Sequence, residues 1–231
     1  MTGTCEWATY PRLLERDFFL WTKKLYELEQ DVGTPILDSM HWTRRFEYPW
    51  VLDKVHADAK NPYSHTAPEQ NSPKKILDVG AGATALQFLI TKQNKWSVTA
   101  VDPDQAATAW IEKTKDYSIF QTNKSMSGGF PILPFKNDEF DTGICISVLE
   151  HLPKDQVLPS IRELLRVSRK EVLITMDVVL GTRHPTQMDQ SDFNQHMQTL
   201  KVEIPEPSHR ITFQMDGYLF GVVCLKLSVD S

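Results

Sequence analysis

The chain has 231 residues, enough for one large or decorated domain with a full core. Its 25 Lys and Arg against 30 Asp and Glu leave a formal charge of −5, without the basic excess of a nucleic-acid binder. The three cysteines, Cys5, Cys145 and Cys224, lack metal-ligand spacing, and no apolar run reaches the ~18 residues of a membrane span. The composition therefore predicts a cytoplasmic protein with no nucleic-acid or membrane partner and no bound metal, with Cys145 and Cys224 as small core residues.

Pro11 opens a stretch in which Leu13, Leu14, Phe18, Trp21, Leu25 and Leu28 recur at three- and four-residue spacing. That pattern predicts an amphipathic helix over 11–31, stopped near Gly33-Thr34-Pro35. A second helical stretch, 43–59, has to accommodate Pro49 by a new turn or a kink. Around it Trp42, Phe46, Tyr48 and Trp50 surround Arg44, Arg45 and Glu47. Two readings stand side by side: a structural helix pair whose Arg and Glu satisfy one another, or a lid whose cation on an aromatic floor receives a ligand carboxylate. Residues 1–60 are thus expected as an N-terminal helical cap, 61–73 with its three prolines as a linker, and 74–231 as the core.

From Lys74 onward short apolar runs alternate with helical stretches. Strands are expected at 75–79, 96–102, 117–121, 140–147 and 171–177, with helices near 84–93, 105–115 and 154–168. This is the pattern of an α/β, doubly wound, mostly parallel sheet covered on both faces, with its ligand turns gathered at the carboxyl edge. Arg210 to Gln214 and Tyr218 to Leu227 flank Met215-Asp216-Gly217, and Asp-Gly between β-rich runs predicts a C-terminal antiparallel hairpin.

The chemistry is concentrated in KKILDVGAGAT, residues 74–84. A buried strand runs into a turn of Gly80, Ala81 and Gly82, whose backbone N–H groups can approach a ligand, and then into a helix N-terminus. Asp78, two positions before Gly80, disfavours a pyrophosphate and favours a cationic ligand. Asp102 ends the second strand 20 residues beyond Gly82, where a carboxylate can accept both hydroxyls of a ribose. Its competing role is capping the helix from Gln105 onward, a job Asp104 can also take.

Asp-Val-Gly-Ala-Gly-Ala resembles the first motif of class I methyltransferases dependent on S-adenosylmethionine, with Ala83 in place of a frequent third glycine. Leu133-Pro134-Phe135, Asp138-Glu139-Phe140-Asp141 and the run from Ile144 through Ser147 to Pro153 resemble the family's segment around the fourth strand, so the likeness spans about 74–180. The resemblance implies a seven-stranded sheet and S-adenosyl-L-methionine as cofactor. Its cofactor-binding residues would be Arg44 for the carboxylate, Asp78, Gly80, Ala81, Gly82, Asp102, Pro103 against adenine, and Ser147. Where the family often places an acid for the adenine amino group this chain has none. Either Ser125 with the Met126 backbone, or Asn123, would take that role.

For a general base the candidates are His151, after the fourth strand, and His184, in the connection after the fifth; His196 and His41 are weaker choices. Glu150 alone does not make a metal site. The reaction expected is metal-independent, in-line methyl transfer to an oxygen or nitrogen of a small-molecule metabolite. Two alternatives are a nicotinamide oxidoreductase, which the glycine turn permits but Asp78 does not suggest, and a non-catalytic binding module of the same fold. The cap reading also predicts that a chain lacking residues 1–60 keeps a foldable sheet.

Overall fold

The computed structural model describes residues 2–34, 43–56, 74–94, 96–114, 124–206 and 209–229. Its strands are β1 (Thr2–Trp7), β2 (Lys75–Val79), β3 (Ser97–Asp102), β4 (Lys124–Ser127), β5 (Phe140–Ile146), β6 (Ser168–Leu180), β7 (Thr212–Met215) and β8 (Tyr218–Ser228). The helices are α1 (Tyr10–Leu13), α2 (Arg16–Val32), α3 (Arg44–Val55), α4 (Leu86–Asn94), α5 (Gln105–Thr114), α6 (Lys154–Val167) and α7 (Gln190–Thr199). A 3₁₀ turn, Leu149–His151, follows β5.

The sheet runs β1-β8-β6-β5-β2-β3-β4, with β7 also paired to β8. Its interior pairs are parallel from β4 through β6, and β8 enters antiparallel. The expected doubly wound sheet with its C-terminal hairpin is what the chain forms. Central β5 is buried along its whole length, and its second half, Ile144-Cys145-Ile146, is apolar without alternation because both faces are covered. At the hairpin tip Asp216 and Gly217 both have positive φ, 51° and 79°, the backbone that Asp-Gly supplies.

Two elements depart from expectation. The segment 1–60, read as a helical cap, begins with a strand: β1 pairs with Val223–Ser228 of β8 while β7 pairs with Tyr218–Gly221. Together β1 and β7 cover the outer edge of β8, end to end. The second departure is β4. The expected strand 117–121 lies outside the described residues, and 124–127, read as loop, pairs with β3 from Thr99 to Asp102. Lys-Ser-Met-Ser has one apolar residue, so an edge strand of this kind leaves no periodic trace.

The N-terminal helices close one face. α2 buries Phe18, Trp21, Leu25, Leu28 and Val32 and ends at Gly33, φ 64°, whose N–H returns to the Glu29 carbonyl. α3 runs through Pro49 without interruption and buries Phe46, Tyr48, Trp50, Val51, Leu52 and Val55. His56 follows it, stacked between Trp21 and Trp96 with centroids 5.2 and 5.0 Å away. The cap is therefore packed into the sheet's own core. Cys145 and Cys224 are buried free thiols, as is Cys5.

Candidate active site

β2 ends in the turn Gly80-Ala81-Gly82, and both glycines sit at positive φ, 74° and 56°. At Gly80 even a methyl group is excluded, since a Cβ there would lie 2.2 Å from Val148 Cγ2. The turn is held by β3: Gly80 N–H donates to the Val101 carbonyl at 2.7 Å, and Gly82 N–H donates to Asp102 Oδ2 at 2.8 Å. Asp102 Oδ1 accepts from the Asp104 N–H, while Asp104 Oδ1 accepts from the Ala106 N–H. Asp104 caps α5, and that frees Asp102 of the capping role. Each Asp102 oxygen keeps a lone pair beside the glycine turn.

Against this turn stands α3. Arg44 donates through Nη1 to Glu47 and to the Ser147 hydroxyl. Glu47, fully buried, also accepts at 2.7 Å from both Ser147 Oγ and Thr175 Oγ1. One carboxylate thereby joins α3 to the ends of β5 and β6, and Ser147 takes a left-handed backbone (φ 48°) at that junction. Arg44, Asp78, Gly80, Gly82 and Ser147 line one cavity of about 110 Å³. Burial, and secondarily Asp102, push the Asp78 carboxyl up to about 7. A carboxyl so destabilised as an anion is one that a ligand's positive charge would ionise.

A larger cavity, about 630 Å³, opens beyond β5 and is lined by Glu150, His151, Lys154, Thr186 and Gln187 among others. Burial raises the Glu150 carboxyl well above its usual range, with Asp177 and Glu47 adding to it and Arg44 opposing. Asp177 on β6 is pushed up to about 7 by burial and then by Glu47. The His151 imidazole is held below its usual range by partial burial and by Arg44. Across the cavity Lys154 Nζ is engaged by the His184 carbonyl, Asp189 and Asp192.

The structure thus gathers Arg44, Asp78, Gly80, Ala81, Gly82 and Ser147 around the small cavity, with Asp102 beside the turn. Pro103 lies exposed just beyond Asp102, near Gly129. Ser125 and Met126 are not at the carboxyl edge. They pair with Ala100 and Val101 inside β4, and Met126 packs on the core, so Ser127 and Gly128, level with and beyond Asp102, occupy the edge instead. Asn123 and His41 lie outside the described residues. His151 faces the larger cavity, but His184 has another occupation: Nδ1 accepts from the Thr186 and Gln187 N–H groups, and the ring packs on Tyr218 at 4.4 Å. The expected pairing of Arg and Glu is found between Arg44 and Glu47, but the further bonds of Glu47 to Ser147 and Thr175, 100 and 128 residues away, left no trace in the sequence, and neither did Asp177. Among the described residues no cluster of three or more His, Cys, Asp or Glu could hold a metal ion.

Residues 76–171 match a family model described as a methyltransferase domain. No curated protein matches the sequence. Among solved structures, the YcgJ protein of Bacillus subtilis shares the fold with a TM-score of 0.60 at 11% identity, over 80% of this chain and 98% of that one. Magnesium protoporphyrin IX methyltransferase from Synechocystis PCC 6803, solved with bound S-adenosylmethionine, aligns at TM-score 0.54 and 13% identity over 92% and 97%. A geranyl diphosphate methyltransferase, also with S-adenosylmethionine, aligns at 0.56 and 10% over 95% of each chain. Residues 76–171 thus carry a methyltransferase domain, and the chain shares the fold of the two structures solved with S-adenosylmethionine.

Proposed function

We propose that the protein methylates an oxygen or nitrogen of a small-molecule acceptor by direct displacement, without a metal. The observation that carries this reading is the small cavity, where Arg44 and Asp78 present opposite charges across one space. Such a pair complements a ligand bearing both an α-carboxylate and an α-ammonium, and Asp102 beside the turn complements a ribose. The residues fit the cofactor's amino-acid and sugar ends, while Pro103 with Gly128 and Gly129 would flank adenine. When bound, the cofactor supplies a methyl group on a sulfonium, a strong electrophile.

The chain's part is positional. Glu47 fixes Arg44 and Ser147, Val148 backs the glycine turn, and the larger cavity beyond β5 would hold the acceptor. Orientation of this kind accounts for up to roughly 7–11 kcal/mol of a barrier. Where an acceptor proton has to leave, His151 is the base in reach of that cavity, whereas His184 is committed to its loop. Support for a small acceptor comes from the cavity's size and from the two neighbours named for small-molecule substrates.

Calorimetry with S-adenosylmethionine, S-adenosylhomocysteine and NAD tests the reading at its base. The first two should bind and NAD should not. Asp102→Ala should then bind the cofactor at least tenfold more weakly, since hydrogen bonds to a charged acceptor are worth about 1.5–3 kcal/mol. An unchanged dissociation constant in that variant would remove Asp102 from the site.

A further inference from the structure

The floor of the larger cavity is not saturated by the protein itself. Glu150 is 6% exposed, and its carboxyl meets no donor among the described residues beyond its own backbone N–H. Oε1 of Gln187, on the same cavity, is likewise buried and unpartnered, as is Oδ1 of Asp177, which acts on Glu150 from β6. Buried acceptors are ordinarily paired, so the unsatisfied oxygens of Glu150 and Gln187 on one cavity mark the place where a donor belongs.

Resting on the methyltransferase reading above, we infer that the acceptor's reacting group is an amine nitrogen, whose N–H groups donate to Glu150 and Gln187. A carboxylate acceptor offers no donor and meets Glu150, Asp177 and Glu47. An alcohol offers one donor for at least two unpaired positions. An amine offers two or three. The cations nearby do not alter this balance: Lys154 is held by the His184 carbonyl, Asp189 and Asp192, and Arg44 by Glu47 and Ser147.

The acid strength of Glu150 agrees with the geometry. Burial raises it first, and Asp177 and Glu47 raise it further against Arg44. A carboxyl raised in this way shares one proton with a bound amine rather than fixing it permanently as ammonium, so the nitrogen lone pair stays available.

The test uses the full chain saturated with S-adenosylhomocysteine, titrated in a calorimeter with benzylamine, benzyl alcohol and benzoate as probes of matched size. Benzylamine should bind at least tenfold more tightly than either of the others. Glu150→Gln, which keeps the shape, and Gln187→Ala, at the cavity wall, should each reduce that preference severalfold with S-adenosylhomocysteine affinity unchanged. Equal or tighter binding of the alcohol or benzoate, no binding of benzylamine, or a preference intact in both variants overturns the assignment. Failure of S-adenosylhomocysteine to bind the unaltered protein would instead strike the methyltransferase reading beneath it.

Discussion

Asp78 combines a strand position, full burial and a neighbouring carboxylate, and together these hold its acid group up to about 7. In the proposed complex the cofactor ammonium favours the ionised form, so binding and deprotonation are linked. Affinity for S-adenosylhomocysteine should therefore rise with pH, up to about tenfold per unit below 7. It should level off above that. Asp78→Asn should bind more weakly and show no rise between pH 6 and 7. Calorimetry across pH 6 to 8.5 in buffers of matched ionic strength measures both, and a flat profile in the unaltered protein separates Asp78 from the ammonium.

Among the elements, α3 joins cap, cofactor cavity and sheet ends through one buried carboxylate. Glu47→Ala leaves the Arg44 guanidinium uncompensated and the Ser147 and Thr175 hydroxyls without their acceptor, and breaking a buried pair of this kind costs roughly 3 kcal/mol. Urea unfolding should show that loss, and Glu47→Gln, which keeps the acceptor but not the charge, should lose less. At the other edge, Trp7 on β1 is buried and Trp50 of α3 donates to Glu6 of the same strand. Trp7→Ala should cost about 3–5 kcal/mol and lower Tm by around 10 °C in calorimetry. A chain lacking residues 1–60 should expose half the β8 edge and self-associate, contrary to the cap reading. What was legible follows from this geometry. Asp78, Gly80, Gly82, Asp102 and Ser147 stand at or just past the ends of contiguous strands, so local pattern together with the family resemblance was enough to expect them at the carboxyl edge. β1 and β4 are edge strands, nearly polar, and β1 pairs with residues more than two hundred positions away. Nothing local announces either. The vacant hydrogen-bonding capacity of Glu150 is a property of tertiary burial, which a Leu-Glu-His tripeptide does not reveal.

Over the whole molecule, buried titratable groups oppose one another, and the sum predicts how stability follows pH. Asp78 and Asp177 are both pushed up to about 7, by burial and then by neighbouring carboxylates. Each contributes stability that is complete below an unfolded value of 3.8 and is lost as pH rises through about 7. Glu150 acts in the same sense. His56 runs the other way: burial, then Lys74 and Lys24, push it down to about 3, so its contribution is present above 6.5 and lost as pH falls toward 3. Asp189 is held at about 2, where backbone N–H groups and Lys154 outweigh burial, and loses its contribution only as pH falls through that value. Between pH 8 and 6 the carboxyls still dominate, because Asp78 and Asp177 recover roughly one pK unit each and Glu150 adds to them, while His56, His151 and His196, all held below their usual range, give up at most about half a unit each. The ligand-free protein should gain stability over that interval, seen calorimetrically as a higher Tm at pH 6 than at pH 8. Asp78→Asn should remove from that gain the roughly one pK unit that Asp78 supplies, about 1.4 kcal/mol. Saturating S-adenosylhomocysteine should also reduce it, because the ligand holds Asp78 ionised at both pH values. A Tm that falls from pH 8 to pH 6 without ligand would show that these carboxyls are solvated in the native protein, and would leave the two cavities without the buried acids on which their selectivity rests.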